Sequence, residues 1–419
     1  MQPRVLFILK RREDYSQDVS YSEHGISTGL LNSATFVNDM LLDNSIQSQV
    51  AVVTDNNDID REVTAYRPTH VIIEALWVVP EKFEVLTRLH PSVRWIVRFH
   101  SETPFIASEG IAMKWALGYM KHPRVELAIN APRFLDEMQT IMQAGGYSKE
   151  TICSRIHYLP NYYPVPYDIE TVPRHDRKHH VDVGCFGAIR PLKNQLLQAI
   201  AALQFAAKID KKLRFHINIG RTEMKGEPIL HNLHELFEGL RDNGHELVIH
   251  EWMSHDKFLQ VVKTMDIGMQ VAFSETFNIV AADMVTSGVP IVVSKEVPWA
   301  SAAIADPTNA DEIARTMLYA WNNADGNVFT NVESLMGYVD ASEKHWLGFL
   351  ADRRIHPNDG GHRGAVDRRV SVPQVILASS PTVLTAPSLP FVSTVEQIIE
   401  WETQELTALE QFLNKERDK

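Results

Sequence analysis

The chain has 419 residues, 44% of them hydrophobic and 22% charged, and a formal net charge of −12. This length predicts two domains of roughly 150–200 residues each, and the composition is typical of a soluble globular enzyme. The negative charge argues against nucleic-acid binding through the overall field of the molecule, so a nucleic-acid partner would require a local basic surface.

The first half of the chain alternates short apolar runs with amphipathic stretches. A short continuous apolar run is typical of a strand buried on both faces of a parallel sheet, whereas the amphipathic stretches have helical spacing. Repeated strand–helix units predict a parallel sheet covered by helices on both faces. The predicted strands span residues 5–9, 50–53, 71–73, 95–99 and 126–129, and the predicted helices span residues 30–41, 81–89 and 133–142.

Residues 160–180 contain four prolines, two adjacent tyrosines and many charges, which is typical of an interdomain linker. The alternation then restarts, and two doubly wound halves in tandem predict a ligand cleft between the carboxyl ends of both sheets. The predicted strands of the second half span residues 181–186, 213–219, 246–250, 267–271 and 291–293, and its predicted helices span residues 194–207, 230–240, 255–265 and 280–287.

The predicted fold class is therefore α/β, with two tandem Rossmann-like domains. Beyond about residue 350 the alternation ends in a stretch rich in Pro, Ser, Arg and His, after which helical spacing returns. The predicted organisation is an N-terminal domain of residues 1–165, a linker of residues 166–180, a C-terminal domain of residues 181–350, an irregular segment of residues 351–394 and a C-terminal helix of residues 395–419.

The two cysteines, Cys153 and Cys185, lie in different predicted domains and have no metal-ligand spacing. They predict a reducing compartment and neither a disulfide framework nor a zinc site. The chain opens into a strand-like run without the layout of a signal peptide, and no apolar stretch has the length needed to span a bilayer. We therefore expect a cytoplasmic protein without a membrane span.

Two acidic residues eight positions apart flank the predicted start of the helix at residues 280–287. The unpaired N–H groups of a helix start form a ready phosphate site. Asp283 lies deeper in the helix, where it can accept two ribose hydroxyls, and Glu275 lies in the loop, where it can bind sugar hydroxyls. An alternative is that the helix dipole alone favours Asp283. The candidate phosphate-binding positions are Phe277, Asn278, Ile279 and Val280.

A second motif, at residues 184–194, opens the second domain at a strand-to-helix turn. It contains Gly187 and two cations, Arg190 and Lys193. Cations at a helix N-terminus oppose the helix dipole unless an anion lies between them, and a diphosphate is such an anion. The alternative is that both are solvated surface charges.

These motifs resemble those of the retaining glycosyltransferases of GT-B fold, the large group 1 family. Glu275 and Asp283 resemble its E-x7-E pair, with Asp283 in place of the second glutamate, and Gly187 and Lys193 match its glycine-rich turn. The resemblance implies the GT-B fold, Glu275 on the donor sugar, Asp283 on the nucleotide ribose, and retention at the anomeric carbon. The expected donor is a nucleoside-diphosphate sugar, with UDP as nucleotide, bound without a metal or other cofactor.

Other positions resemble the family less specifically. The family has an arginine where this chain has Ala188, and we expect Arg190 to take its place. Residues 25–29, including Gly29, resemble the glycine loop that faces donor and acceptor, although any strand–helix turn favours small residues. His100 resembles the histidine that points into the cleft near the donor sugar, and the alternative is a structural histidine.

Residues 58–60 form a D-x-D sequence, the metal-binding signature of the other major glycosyltransferase fold. Here it follows the second predicted strand and fits a helix N-cap followed by an acidic first turn. We therefore expect no metal site.

The expected reaction is sugar transfer to an acceptor hydroxyl, and the alternatives are a nucleotide-sugar epimerase and a non-catalytic nucleotide-sugar-binding scaffold. Stabilising the charge on the departing diphosphate is the main catalytic task. The candidate catalytic residues are His100, Arg190, Lys193 and Glu275, and the candidate nucleotide-binding residues are Gly29, Gly187, Lys193, Phe277, Asn278, Ile279, Val280 and Asp283.

For the acceptor, the opening residues 6–12 and the segment 25–41 resemble bacteriophage members of the family, some of which glycosylate hydroxymethylated pyrimidines in double-stranded DNA. A base acceptor would have to leave the duplex stack to reach a cleft. A lipid, a polysaccharide and a small molecule are the alternative acceptors, since the basic residues also fit ordinary solvated charges. The candidate DNA-contacting residues are Lys10, Arg11, Arg12, Arg353, Arg354, Arg363, Arg368 and Arg369.

Overall fold

The computed structural model describes residues 2–11, 28–171, 179–223 and 225–352. Five predictions lie wholly or partly outside the described residues: linker residues 172–178, nearly all of the irregular segment, the whole C-terminal helix, the glycine-loop residues 25–27, and the basic residues Arg12 and those from residue 353 onward.

The first half of the chain forms a six-stranded parallel sheet of order β2-β1-β3-β4-β5-β6. Its strands are β1 (Arg4–Lys10), β2 (Gln47–Val53), β3 (His70–Glu74), β4 (Arg94–Phe99), β5 (Val125–Ile129) and β6 (Ile156–Tyr158). Its helices are α1 (Thr28–Asp43), α2 (Asp58–Tyr66), α3 (Lys82–Leu89), α4 (Thr103–Ile106), α5 (Ala112–Lys121), α6 (Pro132–Ala144) and α7 (Lys149–Arg155).

The second half forms a five-stranded parallel sheet of order β11-β10-β7-β8-β9. Its strands are β7 (His180–Gly184), β8 (Lys212–Asn218), β9 (Glu246–His250), β10 (Ile267–Gln270) and β11 (Ile291–Val293). Its helices are α8 (Gln195–Lys208), α9 (Glu227–Leu240), α10 (His255–Val262), α11 (Ile279–Thr286), α12 (Ala310–Asn322) and α13 (Ala324–Leu350), with a 3₁₀ turn at Pro191–Lys193.

The central strand β1 is buried on both faces, as its apolar run predicts. Leu6 and Ile8 belong to one hydrophobic cluster, whereas Val5 and Phe7 belong to another on the opposite face of the sheet. Successive side chains of a strand point to opposite faces, so a strand between two helical layers needs apolar residues at every position. The predicted α/β class, with two doubly wound parallel sheets, is thereby confirmed.

The long helix α13 begins beside the second sheet and ends against the first. Trp346 lies in the cluster of the first sheet, with its ring centroid 5.8 Å from that of Phe7. Its indole N–H donates to the carbonyl of Pro160 at 2.9 Å, and the guanidinium of Arg94 lies 4.8 Å from the ring centre of Phe349. The segment predicted as one C-terminal domain thus returns to the N-terminal half in its last turns.

Among the helices that the structure describes, none combines the length and apolarity needed to cross a membrane.

Candidate functional site

A cavity of about 570 Å³ lies between the carboxyl ends of the two sheets. Its volume is within the range of roughly 300–1,000 Å³ that is typical of small-molecule sites. Every residue that the sequence nominates for the site lines this cavity, although their roles stay predictions. These residues are Gly29, His100, Gly187, Arg190, Lys193, Glu275, Phe277, Asn278, Ile279, Val280 and Asp283.

Lys193 and Glu275 form an ion pair in this cavity. The ammonium of Lys193 donates to Oε1 of Glu275, and only 12% of the lysine side chain and 7% of the glutamate side chain are exposed. Burial lowers the pKa of Lys193, and the charge of Glu275 opposes that shift. The two residues nominated for diphosphate and sugar therefore bind each other in this structure.

The turn that carries Lys193 depends on unusual backbone conformations. Gly187 has φ +117°, a region that L side chains rarely adopt, and its N–H donates to Oδ1 of Asn218 at 2.7 Å. Asn194 follows Lys193 with φ 59°, and its amide donates to the carbonyls of Val271 and Pro307 at 3.1 and 2.7 Å. These bonds fix the turn against the second sheet.

Arg190 reaches across the cavity to the first half of the chain. Its guanidinium carbon lies 4.7 Å from the ring centre of Phe105, and its Nη1 lies 3.4 Å from Oε2 of Glu223. The guanidinium therefore combines a cation–π contact with an ion pair. Gly29, in the first turn of α1, lines the cavity on the side of the first sheet.

The N-terminus of α11 points its first N–H groups toward the cavity. Asn278, with φ 65°, caps the helix because its Oδ1 accepts from the N–H of Ala281 at 2.9 Å. The N–H of Ala282 donates to the carbonyl of Asn278. Within the described part of the chain, this leaves the N–H groups of Ile279 and Val280 for an anion.

Phe277 contributes backbone only. Its side chain is buried, and its ring lies 5.3 Å from that of Tyr338 and 6.1 Å from that of Trp299. Its carbonyl accepts from the indole N–H of Trp299 at 2.7 Å. The aromatic packing fixes the loop that leads from Glu275 to α11.

Asp283 is buried and already bonded. Its Oδ1 accepts from the hydroxyl of Tyr163 at 2.8 Å and from Nε2 of His255 at 2.7 Å. The hydrogen bond to Asp283 raises the pKa of His255, and this effect outweighs the desolvation of the ring. His255 also lines the cavity, so the ribose position nominated at Asp283 includes an imidazole.

His100 follows β4 directly and donates from Nε2 to Oε2 of Glu74, the last residue of β3. Arg98 lies 3.2 Å from the same carboxylate, and both Arg98 and Glu74 are fully buried. Burial lowers the pKa of His100, although the charge of Glu74 opposes it. Because a carboxylate only accepts hydrogen bonds, the neutral ring keeps its hydrogen on Nε2, and Nδ1 carries a lone pair.

Several polar residues of the cavity are not among the candidates that the sequence provides. Arg221 and Trp252 follow β8 and β9, and the guanidinium carbon of Arg221 lies 5.3 Å from the ring centre of Trp252. Their only sequence signal is a position just after a predicted strand, at the edge where ligands of open α/β sheets bind. The residues missed in this way are Glu102, Asn218, Arg221, Glu223, Trp252 and His255.

Direct contacts join the two halves beside the cavity. The hydroxyl of Thr276 donates to the carbonyl of His100 at 3.4 Å and accepts from the amide of Asn130 at 3.2 Å. Arg133 lies 2.6 Å from Glu296 across the same junction. The residues of the cleft are therefore close enough to act on one ligand.

Both aspartates of the D-x-D sequence form hydrogen bonds with neighbouring protein groups. The helix α2 begins at Asp58 itself, so the N-cap is Asn57, one residue earlier than predicted. The carboxylate of Asp58 accepts from the N–H groups of Thr54 and Asp55 at 3.2 and 3.3 Å, and Asp60 bonds His90. The described residues contain no group of three His, Cys, Asp or Glu side chains arranged to hold a metal ion.

No protein-family model and no curated protein matches the sequence. Solved structures do match the fold. A UDP-forming alpha,alpha-trehalose-phosphate synthase from Burkholderia xenovorans superposes with a TM-score of 0.55 at 8% identity, over 85% of this chain and all (100%) of that chain. The sucrose-phosphate synthase from Thermosynechococcus elongatus gives 0.54 at 11% identity, over 83% and 97% of the two chains.

A third structure, described as trehalose-6-phosphate from E. coli bound with UDP-2-fluoro glucose, gives a TM-score of 0.54 at 12% identity, over 83% of this chain and 98% of that chain. These similarities extend across both parallel sheets and the cleft between them. The chain has the GT-B fold.

Proposed function

We propose that this protein is a glycosyltransferase that moves a sugar from a nucleoside-diphosphate sugar, with UDP as the expected nucleotide, to an acceptor hydroxyl. The observation that supports this most directly is the convergence of Lys193, Arg190 and the N-terminus of α11 on one cavity of the GT-B cleft. Cations and helix N–H groups together form a site for a diphosphate. UDP is the nucleotide named for two proteins of similar fold.

The donor would bind by exchanging an ion-pair partner. In the described structure the ammonium of Lys193 is held by Glu275. A diphosphate at the N–H groups of Ile279 and Val280 would take over the ammonium and release Glu275 toward the sugar hydroxyls. Glu275 thus occupies the anion position until the donor arrives.

In the transfer, the anomeric carbon exchanges its bond to the diphosphate oxygen for a bond to the acceptor oxygen. The electron pair of the broken bond leaves with the diphosphate, and the proton of the acceptor hydroxyl is released to solvent. The charge that develops on the diphosphate is the charge that Lys193, Arg190 and the helix N-terminus would stabilise.

Binding and product analysis test the proposal together. Thermal shift and calorimetry with UDP-, GDP-, ADP- and dTDP-sugars identify the donor, because a ligand at 100 times its dissociation constant stabilises a protein by about 2.7 kcal/mol. Chromatography of the products with and without an acceptor then separates the three functions. Transfer that requires an acceptor supports the glycosyltransferase.

Three results contradict the proposal. A new nucleotide sugar, or free nucleotide that forms at the same rate without an acceptor, indicates an epimerase. Binding without turnover across the donor and acceptor panels indicates a scaffold. Failure of every nucleotide sugar to bind excludes all three readings of the cavity.

A further inference from the structure

The cavity beside α11 contains a carboxylate and an imidazole, Asp283 and His255. Asp283 lies four residues after Ile279, whose N–H group is one of the two left for an anion. Residues four apart lie on the same side of a helix, about 6 Å apart along its axis. The ribose of a nucleotide is joined directly to its diphosphate, so the ribose is the part of the proposed donor that comes closest to this pair.

The imidazole of His255 is the more exposed member of the pair. Both residues line the cavity, but 26% of the His255 side chain is exposed and only 2% of the Asp283 side chain. Oδ1 of Asp283 already accepts from the hydroxyl of Tyr163 and from Nε2 of His255. The surface that a ribose can contact here is therefore mainly that of the imidazole.

Contacts on two sides orient the ring of His255. Its Nε2 lies 2.7 Å from Asp283, and its centroid lies 6.0 Å from that of the Phe36 ring on α1. Phe36 in turn packs edge-on against Tyr163, with ring centroids 5.4 Å apart. Nδ1 is then the ring nitrogen that can meet a ligand, and a group oriented in advance binds at a lower entropic cost.

A hydroxyl group matches Nδ1 in both protonation states of the ring. The neutral ring, with its hydrogen on Nε2, has a lone pair on Nδ1 that accepts from a hydroxyl. The protonated ring has an N–H at Nδ1 that donates to a hydroxyl oxygen. An ionised phosphate oxygen only accepts, so it matches the protonated ring alone. The chemistry of Nδ1 consequently favours a ribose hydroxyl over a phosphate.

We propose that His255 binds a ribose hydroxyl of the donor through Nδ1, and that Asp283 is a positioning residue that acts through the imidazole. This role of His255 rests on the proposed function, since it concerns the nucleotide of the same donor. It differs from the direct ribose contact expected of Asp283. His255 would thereby give the protein a preference for ribonucleotides over deoxyribonucleotides.

Nucleotides that lack one hydroxyl test the role of His255. Calorimetry compares UDP, GDP and ADP with their 2′-deoxy and 3′-deoxy analogues, on the wild-type protein and on His255→Gln. The glutamine amide can still donate to Asp283 but has no polar group in the place of Nδ1. We expect the wild type to bind its best ribonucleotide about threefold to tenfold more tightly than at least one deoxy analogue, the range of one hydrogen bond. In His255→Gln this ratio should fall to about one, with the affinity for the deoxy analogue unchanged.

A matched pair of variants tests the positioning role of Asp283. Asp283→Leu removes the oxygen that holds His255 and should lower the ratio, whereas Asp283→Asn keeps an oxygen for Nε2 and should preserve it. His234→Gln, on the exposed face of α9, controls for the loss of a histidine. Equal weakening of ribonucleotides and deoxyribonucleotides in Asp283→Leu would show that Asp283 only supports the fold.

Three outcomes overturn the role of His255. The first is a wild type that binds ribonucleotides and their deoxy analogues equally, and the second is a ratio that persists in His255→Gln, including the case in which both classes weaken together. Both leave the proposed function standing. The third is failure of all three ribonucleotides to bind the wild type, after which the binding of the nucleotide sugars decides separately on the proposed function.

Discussion

The two walls of the cavity, formed by the lining residues up to Asn161 and by those from Gly187 onward, differ in how far their ion pairs are exposed. On the second-domain wall the ion pairs are partly open to the cavity: 12% of the Lys193 side chain and 26% of the His255 side chain are exposed. Behind the first-domain wall, Arg98 and Glu74 are both 0% exposed. A ligand can therefore compete for a partner on the second-domain wall but not for the buried pair behind the first.

This difference in exposure predicts that the ion pairs of the two walls have different functions. On the second-domain wall, Lys193 can exchange Glu275 for an anion of the ligand, and its charge stays paired during the exchange. A buried pair is costly to break, because the remaining charge has no solvent. Substitutions on the second-domain wall should consequently change binding most, and substitutions behind the first-domain wall should change stability most.

The largest expected effect comes from Glu74→Ala. It leaves Arg98 buried with carbonyl and amide partners but without a carboxylate, and we expect a loss of about 3–5 kcal/mol in the free energy of unfolding. Urea denaturation measures this loss, with Glu81→Ala on an exposed position as the control. A loss below about 1 kcal/mol is typical of an exposed ion pair and would show that the buried pair does not stabilise the fold as we expect.

Lys193→Met should leave the fold intact and reduce kcat/KM by about ten- to hundredfold, because a charge-assisted hydrogen bond contributes roughly 1.5–3 kcal/mol. Steady-state kinetics and calorimetry with UDP provide the measurement. Lys208→Met is the matched control, since Lys208 is a partly exposed lysine on α8 that faces Asp311. Unchanged turnover and unchanged donor affinity would exclude Lys193 from the site.

Glu275→Gln tests whether Glu275 gives up Lys193 to the donor diphosphate or only supports its own loop. Removal of the competing carboxylate should tighten the binding of bare UDP by about threefold to tenfold, whereas transfer from the intact donor should fall. Calorimetry and kinetics on one preparation compare the two, with Glu235→Gln on α9 as the control. Equal losses of UDP affinity and of transfer would show that Glu275 holds the nucleotide or only supports its loop.

The sequence predicts the features that are local in the chain. The apolar runs locate most strands of both sheets closely, because burial on two faces leaves a continuous signal. Strand β6 is not predicted, because its middle residue is a partly exposed histidine, His157, which interrupts the apolar run. The turn at Gly187 and the start of α11 are also local, which explains why the nominated residues line one cavity.

What the sequence does not predict depends on contacts between distant elements. Glu74 ends β3, whereas His100 follows β4, and His255 and Asp283 lie on different helices. No spacing along the chain therefore predicts either pair. The return of α13 to the first sheet through Trp346 is equally nonlocal. Partners of this kind become visible only once the sheets place their carboxyl ends together.

The smallest expected effect is a pH dependence of opposite sign on the two walls. The pKa of His255 is raised by its bond to Asp283, with Asp256 also near and the ring of Phe36 6.0 Å from the imidazole. The stability from this pair is therefore complete below the unfolded pKa, about 6.5, and is lost as the pH rises through the raised value.

The pKa of His100 is lowered by burial and by Arg98 against the opposing charge of Glu74. Its contribution to folding stability is therefore present above about pH 6.5 and is lost as the pH falls toward the folded value.

Urea denaturation at several pH values between about 5 and 8.5 should show that His255→Gln removes stability mainly at the acid end, on the order of 1 kcal/mol. His100→Gln should make the protein less sensitive to acid. His234→Gln, on the exposed face of α9, controls for the loss of a histidine. If both site variants shift the pH profile in the same direction, the two histidines do not lie in the contrasting environments that the walls provide.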